Sequence, residues 1–244
     1  MIASLPMYET HRTHGANDRF WQAILGHLGT TPTPLDRSTD PHVTWRHPDL
    51  FLSQTCGMPF RTGLCDIVQL LGTPDYGVPG CPPGYYRSYL VVREDDPRQT
   101  LAAFDGAHLA RNDARSQSGW AAVVTHLRAA DPELGFAPEV LHTGSHRASL
   151  RAVAEGRADI AGCDAVTWAL LSRDTDATHG LRILEATEPT PGLPFITGPE
   201  QDAARIRDAL RHAVSALTAP DREALMLTGL ADIPAEDYLA VHGP

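Results

Sequence analysis

The sequence predicts an α/β fold divided into two lobes, and three observations carry that prediction. Short apolar runs bounded by glycine and proline, such as residues 50–54 and 67–71, have the length and composition of buried strands. They alternate with stretches of helical spacing, of which residues 19–28 are the clearest, with Phe20, Ile24 and Leu28 four residues apart. In the middle of the chain a strand–turn–helix unit occurs three times. With 244 residues, 42% of them apolar, the chain can bury one large core or two modest ones.

Taken in order, residues 2–7 read as the first strand, followed by the helix over 19–28 and a Thr- and Pro-rich loop over 29–41. The runs 50–54 and 67–71 are expected as buried parallel strands between helices. Residues 72–84 contain four prolines and four glycines and read as a shaped loop at a strand end. Residues 89–93 read as a strand crossing from one lobe to the other. The three repeating units then follow. Strand 107–112 leads through a serine turn into helix 120–130. Strand 140–143 leads through Gly144 into a helix capped by Ser145, running through Ala154 and ending at Gly156. Strand 159–162 leads into helix 164–171. Residues 182–186 and the Pro-rich 188–194 read as the return to the first lobe, which helices 201–217 and 220–227 complete. The first lobe is therefore expected over 1–90 and 190–244, and the second, inserted lobe over 91–189. No internal repeat or low-complexity tract competes with this arrangement.

Net charge is −10, and the 20 Lys and Arg residues are scattered without a basic run, which argues against a nucleic-acid partner. No segment approaches the ~20 consecutive apolar residues needed to cross a bilayer, so no membrane-spanning segment is expected. Cys56, Cys65, Cys81 and Cys163 show neither a C-x-x-C pair nor a His/Cys ladder, so no metal and no cofactor is expected, and their disulfide state is left open. Met1 is followed almost at once by the first core strand, without a basic and apolar leader. The expected location is accordingly periplasmic if a leader has been removed and cytoplasmic otherwise.

The most informative stretch is Arg111-Asn-Asp-Ala-Arg-Ser-Gln-Ser-Gly119, followed by a helix and then by Thr143-Gly-Ser-His146. Ser116, Gln117, Ser118 and Gly119 put hydroxyls and backbone N–H groups at a helix start, where the orphan donors and the positive end of the dipole favour an anion. An oxyanion can be held there without lysine. His146 stands at a second helix start and supplies an imidazole donor. Asp164 lies at a strand end, where open α/β sheets place ligand groups. Beside an anion, a carboxylate suits a ligand that still carries a proton or an amine. An ordinary helix cap explains Ser116, His146 or Asp164 taken singly.

Asn112, Ser116-x-Ser118-Gly119, Gly144-Ser145-His146 and Ala154-Glu-Gly-Arg-Ala-Asp159-Ile-Ala-Gly-Cys-Asp164 together resemble the phosphate/phosphite/phosphonate ABC-transporter substrate-binding family. The opening Ile2-Ala-Ser-Leu-Pro-Met-Tyr8, the segments Gly72-Thr-Pro and Tyr85-Tyr-Arg-Ser-Tyr-Leu-Val-Val-Arg93, and the closing Gly229-Leu and Asp237-Tyr238 extend the likeness over most of the chain. The resemblance implies a two-lobed type II periplasmic-binding-protein-like fold that closes on a small oxyanion in a cleft between the lobes. It also implies an ABC permease as partner and no chemistry. Besides the serine turn, His146 and Asp164, the candidate ligand residues are Tyr8, Gln54 and Thr55 at the first two strand ends and Tyr85 and Tyr86 after the glycine-rich loop; between the last two the sequence does not choose. Two other readings stay open: a cytoplasmic ligand sensor, and a pyrimidine-precursor or cysteine-dependent enzyme on the same lobes, with Cys56 as nucleophile rather than a buried small apolar residue.

Overall fold

The computed structural model describes residues 1–173 and 175–243; Pro244, the last residue of the expected first lobe, lies outside them. In chain order the elements are β1 (Ile2–Ser4), α1 (His14–Leu28), α2 (Pro41–Thr44), β2 (Leu50–Gln54), α3 (Gly57–Gly63), β3 (Gln69–Asp75), β4 (Tyr85–Tyr86), β5 (Ser88–Arg93), β6 (Leu109–Arg111), α4 (Ala122–Ala130), β7 (Leu141–His142), α5 (His146–Ala154), β8 (Ile160–Asp164), α6 (Ala165–Ser172), α7 (Thr175–Thr178), β9 (Leu181–Ala186), β10 (Thr190–Pro191), β11 (Phe195–Thr197), α8 (Ala203–Ala216), α9 (Ala219–Leu225), β12 (Gly229–Ala231) and α10 (Ala235–Leu239). A 3-10 turn covers Leu101–Phe104 and a π-helical turn covers Gln117–Ala121. The chain forms two compact units. The first is Met1–Tyr85 with Pro191–Ala240, and the second is Tyr86–Thr190 with the residues from Val241 on.

The first unit holds a five-stranded sheet in the order β1-β2-β11-β3-β12. β1 and β2 are parallel, joined through α1, whereas β11 runs antiparallel to both β2 and β3, and β12 antiparallel to β3. Phe20, Trp21, Ile24 and Leu25 of α1 pack with Ile206 and Leu210 of α8 over Leu52, Leu71 and Phe195 of the sheet. The helix predicted from residue 19 begins at His14, one turn and more earlier. The strand predicted over 67–71 is displaced to 69–75, so the expected loop over 72–84 shortens, and its neighbours are antiparallel rather than parallel. The reason is distant: both partners come from the last quarter of the chain.

The second unit holds a mixed sheet in the order β7-β6-β8-β5-β9. β6 pairs in parallel with β7 and β8, while β5 is antiparallel to β8 and β9. Helices cover both faces, and the strands separate their side chains with a period of two. Leu90 and Val92 of β5 join Leu109, Ile160 and the α4 residues Val123 and Leu127, while Val91 joins Ala110, Ala161 and the α5 residues Leu150 and Val153 on the other face. The run 89–93, expected to cross between lobes, therefore lies inside this sheet. So does 182–186, expected as the return, because it pairs with β5. At the base of β8, Arg98 bonds Asp96 (2.7 Å) and Asp159 (2.8 Å), and the Arg98 guanidinium holds the buried Asp96 carboxyl down at about 2.

Candidate functional site

Three segments of the second unit converge on one group of polar side chains. The first leaves β6 at Asn112 and turns at Ser116, whose backbone is extended (φ −79°, ψ 128°) and whose hydroxyl accepts the Gly119 N–H at 2.9 Å. The chain then enters the helix through the wider π turn, with the Ala121 N–H donating to the Ser116 carbonyl at 3.1 Å. Such turns recur at functional sites because they swing the first residues out of the ordinary helical register. Ser116, Gln117, Ser118 and Gly119 are all buried.

The second segment is the start of α5, where Ser145 caps the helix by accepting the Ala148 N–H at 3.2 Å and His146 takes the first helical position. Its imidazole is fixed from both ends. Nδ1 lies 3.1 Å from the Gly162 carbonyl oxygen, which accepts and cannot donate, so Nδ1 carries a hydrogen. Nε2 lies 3.2 Å from the Ser118 hydroxyl, 3.4 Å from the Asn112 amide nitrogen and 3.3 Å from Asp164 Oδ2.

The third segment is the end of β8. The strand predicted over 159–162 runs on to Asp164 itself, which caps α6 by accepting the Thr167 N–H at 2.7 Å and the Thr167 hydroxyl at 2.5 Å. Its remaining contact is His146. One proton between Nε2 and Oδ2 satisfies both atoms; without it, two lone pairs face each other. Behind it, burial, with a smaller push from Asp164, raises the Cys163 thiol well above its ordinary range, so this sulfur is a packing atom.

Two glycines make the convergence sterically feasible. A side chain at Gly119 would overlap the Asn112 amide and come within 3.2 Å of His146 Cε1. One at Gly162 would overlap Val123 and approach the Ser118 carbonyl to 3.0 Å. The close approach also leaves Asn112 Oδ1 buried without a hydrogen-bond partner. Asn112 and Gly162 are thus structural members of the site beyond the predicted residues.

The predicted residues of the first unit separate into two kinds. Tyr8 and Gln54 line one pocket, together with Thr13, Asn17, Tyr76 and an apolar wall. Tyr8 and Tyr76 meet edge to face, 5.1 Å between ring centres, and Gln54 Nε2 donates to the Tyr76 hydroxyl (2.9 Å) and the Leu193 carbonyl (3.0 Å). Thr55 and Tyr85 are engaged elsewhere. The buried Thr55 hydroxyl donates to the Cys56 carbonyl at 3.3 Å, and the Tyr85 hydroxyl donates to Asp237 at 2.9 Å, with burial and that carboxylate raising its pKa. Tyr86, on β4, is buried and belongs to the second unit. Sequence reasoning missed Asn17 and Tyr76. The available signal for Asn17 was a polar residue three before Phe20 on a core-facing stripe; for Tyr76, inside a Gly/Pro-rich stretch, there was none.

Among the described residues, no helix is long and apolar enough to cross a membrane and no three His, Cys, Asp or Glu side chains are grouped to hold a metal ion. Cys65 and Cys163 are free thiols.

Solved structures share the fold at low identity. PhnD1 from Prochlorococcus marinus in complex with methylphosphonate superposes with a TM-score of 0.73 at 12% identity, over 98% of this chain and 94% of that one. The binding-protein component of a phosphonate ABC transporter from Pseudomonas aeruginosa gives 0.70 at 16% identity, over 98% and 82%. A Xanthomonas citri protein bound to ATP gives 0.70 at 15%, over 98% and 95%. These likenesses establish an α/β, two-lobed periplasmic-binding-protein fold. No curated protein matches the chain by sequence. The model of one family, ABC transporter, phosphonate, periplasmic substrate-binding protein, matches residues 68–238 and so takes in the serine turn, His146 and Asp164. With well over half of its length inside that match, the chain belongs to the family of periplasmic substrate-binding proteins of phosphonate ABC transporters.

Proposed function

We propose that the protein binds a small phosphorus oxyanion (phosphate, phosphite or a phosphonate) at the Ser116–Gly119 turn and His146, and delivers it to a membrane permease. Its family consists of binding proteins, which sets aside the cysteine-enzyme alternative; the periplasmic location and the permease are carried over from the family as part of this proposal. The observation that carries the ligand assignment is the meeting of the Ser118 hydroxyl and His146 Nε2, 3.2 Å apart, each at a helix start. A hydroxyl and an imidazole meet there at two helix starts, where dipoles favour an anion, with neither lysine nor arginine inside the turn. Asp164 works in this reading through His146, and it adds a selectivity. A fully deprotonated anion meets a carboxylate with no hydrogen to share, whereas phosphate or a phosphonate brings one.

Calorimetry with phosphate, phosphite, methylphosphonate and sulfate tests the proposal. A phosphorus oxyanion should bind at least about tenfold more tightly than sulfate, roughly 1.4 kcal/mol. Ser118→Ala removes one hydroxyl from a charged acceptor and should cost about 1.5–3 kcal/mol of that affinity with the fold retained. Unchanged affinity in Ser118→Ala would remove the turn from the site.

A further inference from the structure

The surface of the first unit carries two side chains that neither its core nor the oxyanion reading uses. His27 stands in the last turn of α1 and His212 on α8, both exposed, and their imidazole rings lie face to face, 4.4 Å between centres and 29° between planes. The helices are clamped beneath them. Ile24, Leu25 and Leu28 pack with Ala209, Leu210 and Ala213 in one core cluster, and Arg205 of α8 donates to the Leu28 carbonyl at 2.7 Å. Two rigid elements from opposite ends of the chain thus carry the pair.

Other histidines are occupied. His126 and His146 each face a carboxylate, at 3.1 and 3.3 Å, and His142 lies 2.8 Å from Arg111. Among the described residues, neither ring of the stacked pair takes part in a hydrogen bond or an ion pair, so its nitrogens are left for another partner. Two imidazolium rings face to face repel each other, so the stack suits rings of which at least one is neutral, and neutral imidazole is the form that ligates a metal. The local charges suit a cation. His27 sits at the C-terminal, negative end of a helix dipole. Asp208 precedes His212 by one helical turn on the same face, and its contact with Arg211, at 3.9 Å, is loose because Arg211 also reaches Asp232 at 2.6 Å.

We propose that His27 and His212 form a surface site for a borderline divalent transition-metal ion such as Zn²⁺, which staples α1 to α8. Tetrahedral zinc about 2.0–2.1 Å from each nitrogen needs the two nitrogens roughly 3.3 Å apart. Rings with centres 4.4 Å apart reach that separation by turning about their Cβ–Cγ bonds out of the stack, and exposure leaves them room to turn. Among the described residues no group of three His, Cys, Asp or Glu side chains closes around an ion, so water fills the remaining positions. Two imidazole nitrogens select zinc, copper or nickel over Mg²⁺ and Ca²⁺, which take oxygen ligands.

The site lies within one unit, so its test needs no oxyanion. Calorimetry with ZnCl₂ and MgCl₂ on the untagged protein in a non-coordinating buffer, and thermal unfolding with and without ZnCl₂, compare the unmodified chain with His27→Ala and His212→Ala. Zn²⁺ should bind and raise the melting temperature, and Mg²⁺ should do neither. Each substitution should weaken Zn²⁺ binding at least about tenfold and abolish the rise. In NMR the ring-nitrogen signals of His27 and His212 should move together at the first equivalent of Zn²⁺, ahead of the other histidines. His27→Gln, which keeps an exposed polar side chain on the helix, takes the place of His27→Ala should that variant not fold. Zn²⁺ affinity that survives both substitutions would put the ion on other histidines and overturn the proposal. Mg²⁺ binding as tightly as Zn²⁺, or a pair that responds to acid but not to Zn²⁺, would overturn it as well.

Discussion

The serine-turn cluster of the second unit and the pocket of the first are built from opposite chemistry. The cradle offers two helix starts, two serine hydroxyls, one imidazole and one carboxylate, and it brings backbone so close that Gly119 and Gly162 have no room for a side chain. The pocket offers aromatic edges and amides in an apolar wall, without a charge. Backbone dipoles must be near a charge to be useful, whereas a side-chain hydrogen bond gains from the dryness around it. The family match separates the two as well. It begins at residue 68, so it contains the whole cradle and, of the pocket, neither Tyr8, Asn17 nor Gln54.

The strongest way to break that division is Gly119→Ala. The added carbon overlaps the Asn112 amide and crowds His146, so turn and imidazole cannot both stay in place. Oxyanion affinity should fall at least about 100-fold, some 2.8 kcal/mol, while the Asn17 amide signals keep their positions. Retained affinity would mean that the Asn112 contact is dispensable. Movement of the Asn17 signals would mean that the two regions are not independent.

Local signals explain why the cradle was the more legible region. Ser145, the helix through Ala154 and the left-handed Gly156 form a capped unit written within a dozen residues, and the structure has the same helix from His146 to Ala154. β2 likewise matches the apolar run that predicts it. Ser116 also caps as its residue type suggests, although the π turn starts the helix three residues before the predicted Trp120, marked by i→i+5 bonds from Ala121 to Ser116 and from Ala122 to Gln117. The pocket depends on signals that are weak or distant. Gly15 and Asn17 are poor helix formers, so periodicity begins α1 at residue 19 and leaves Asn17 outside it. Tyr76 follows β3, whose extent is set by β11 and β12, more than 120 residues away in sequence; no local period reports such pairing.

Asp164→Asn should have a smaller, selective effect. It keeps an oxygen for the Thr167 cap but removes the charge opposite His146. The preference for phosphate or phosphonate over sulfate, expected at about tenfold or 1.4 kcal/mol, should narrow, chiefly through tighter sulfate binding. Competition calorimetry reads the ratio directly. A sulfate ratio identical in the two proteins would reduce Asp164 to a helix cap.

The smallest effect expected is that of Tyr76→Phe, and it tests independence from the pocket side. The ring and its edge contact with Tyr8 remain, but the hydroxyl that accepts from Gln54 Nε2 is lost, leaving that nitrogen the Leu193 carbonyl alone of its two acceptors. One part-buried hydrogen bond is worth about 0.5–1.5 kcal/mol, which in a chain of this size lowers the melting temperature by roughly 1–6 °C. The substitution touches neither the Ser116–Gly119 turn nor His146, so inorganic phosphate affinity should stay within about twofold. A drop in phosphate affinity matching that of Ser118→Ala would join the two regions into one recognition surface, and the division drawn between charged cradle and neutral pocket would fall with it.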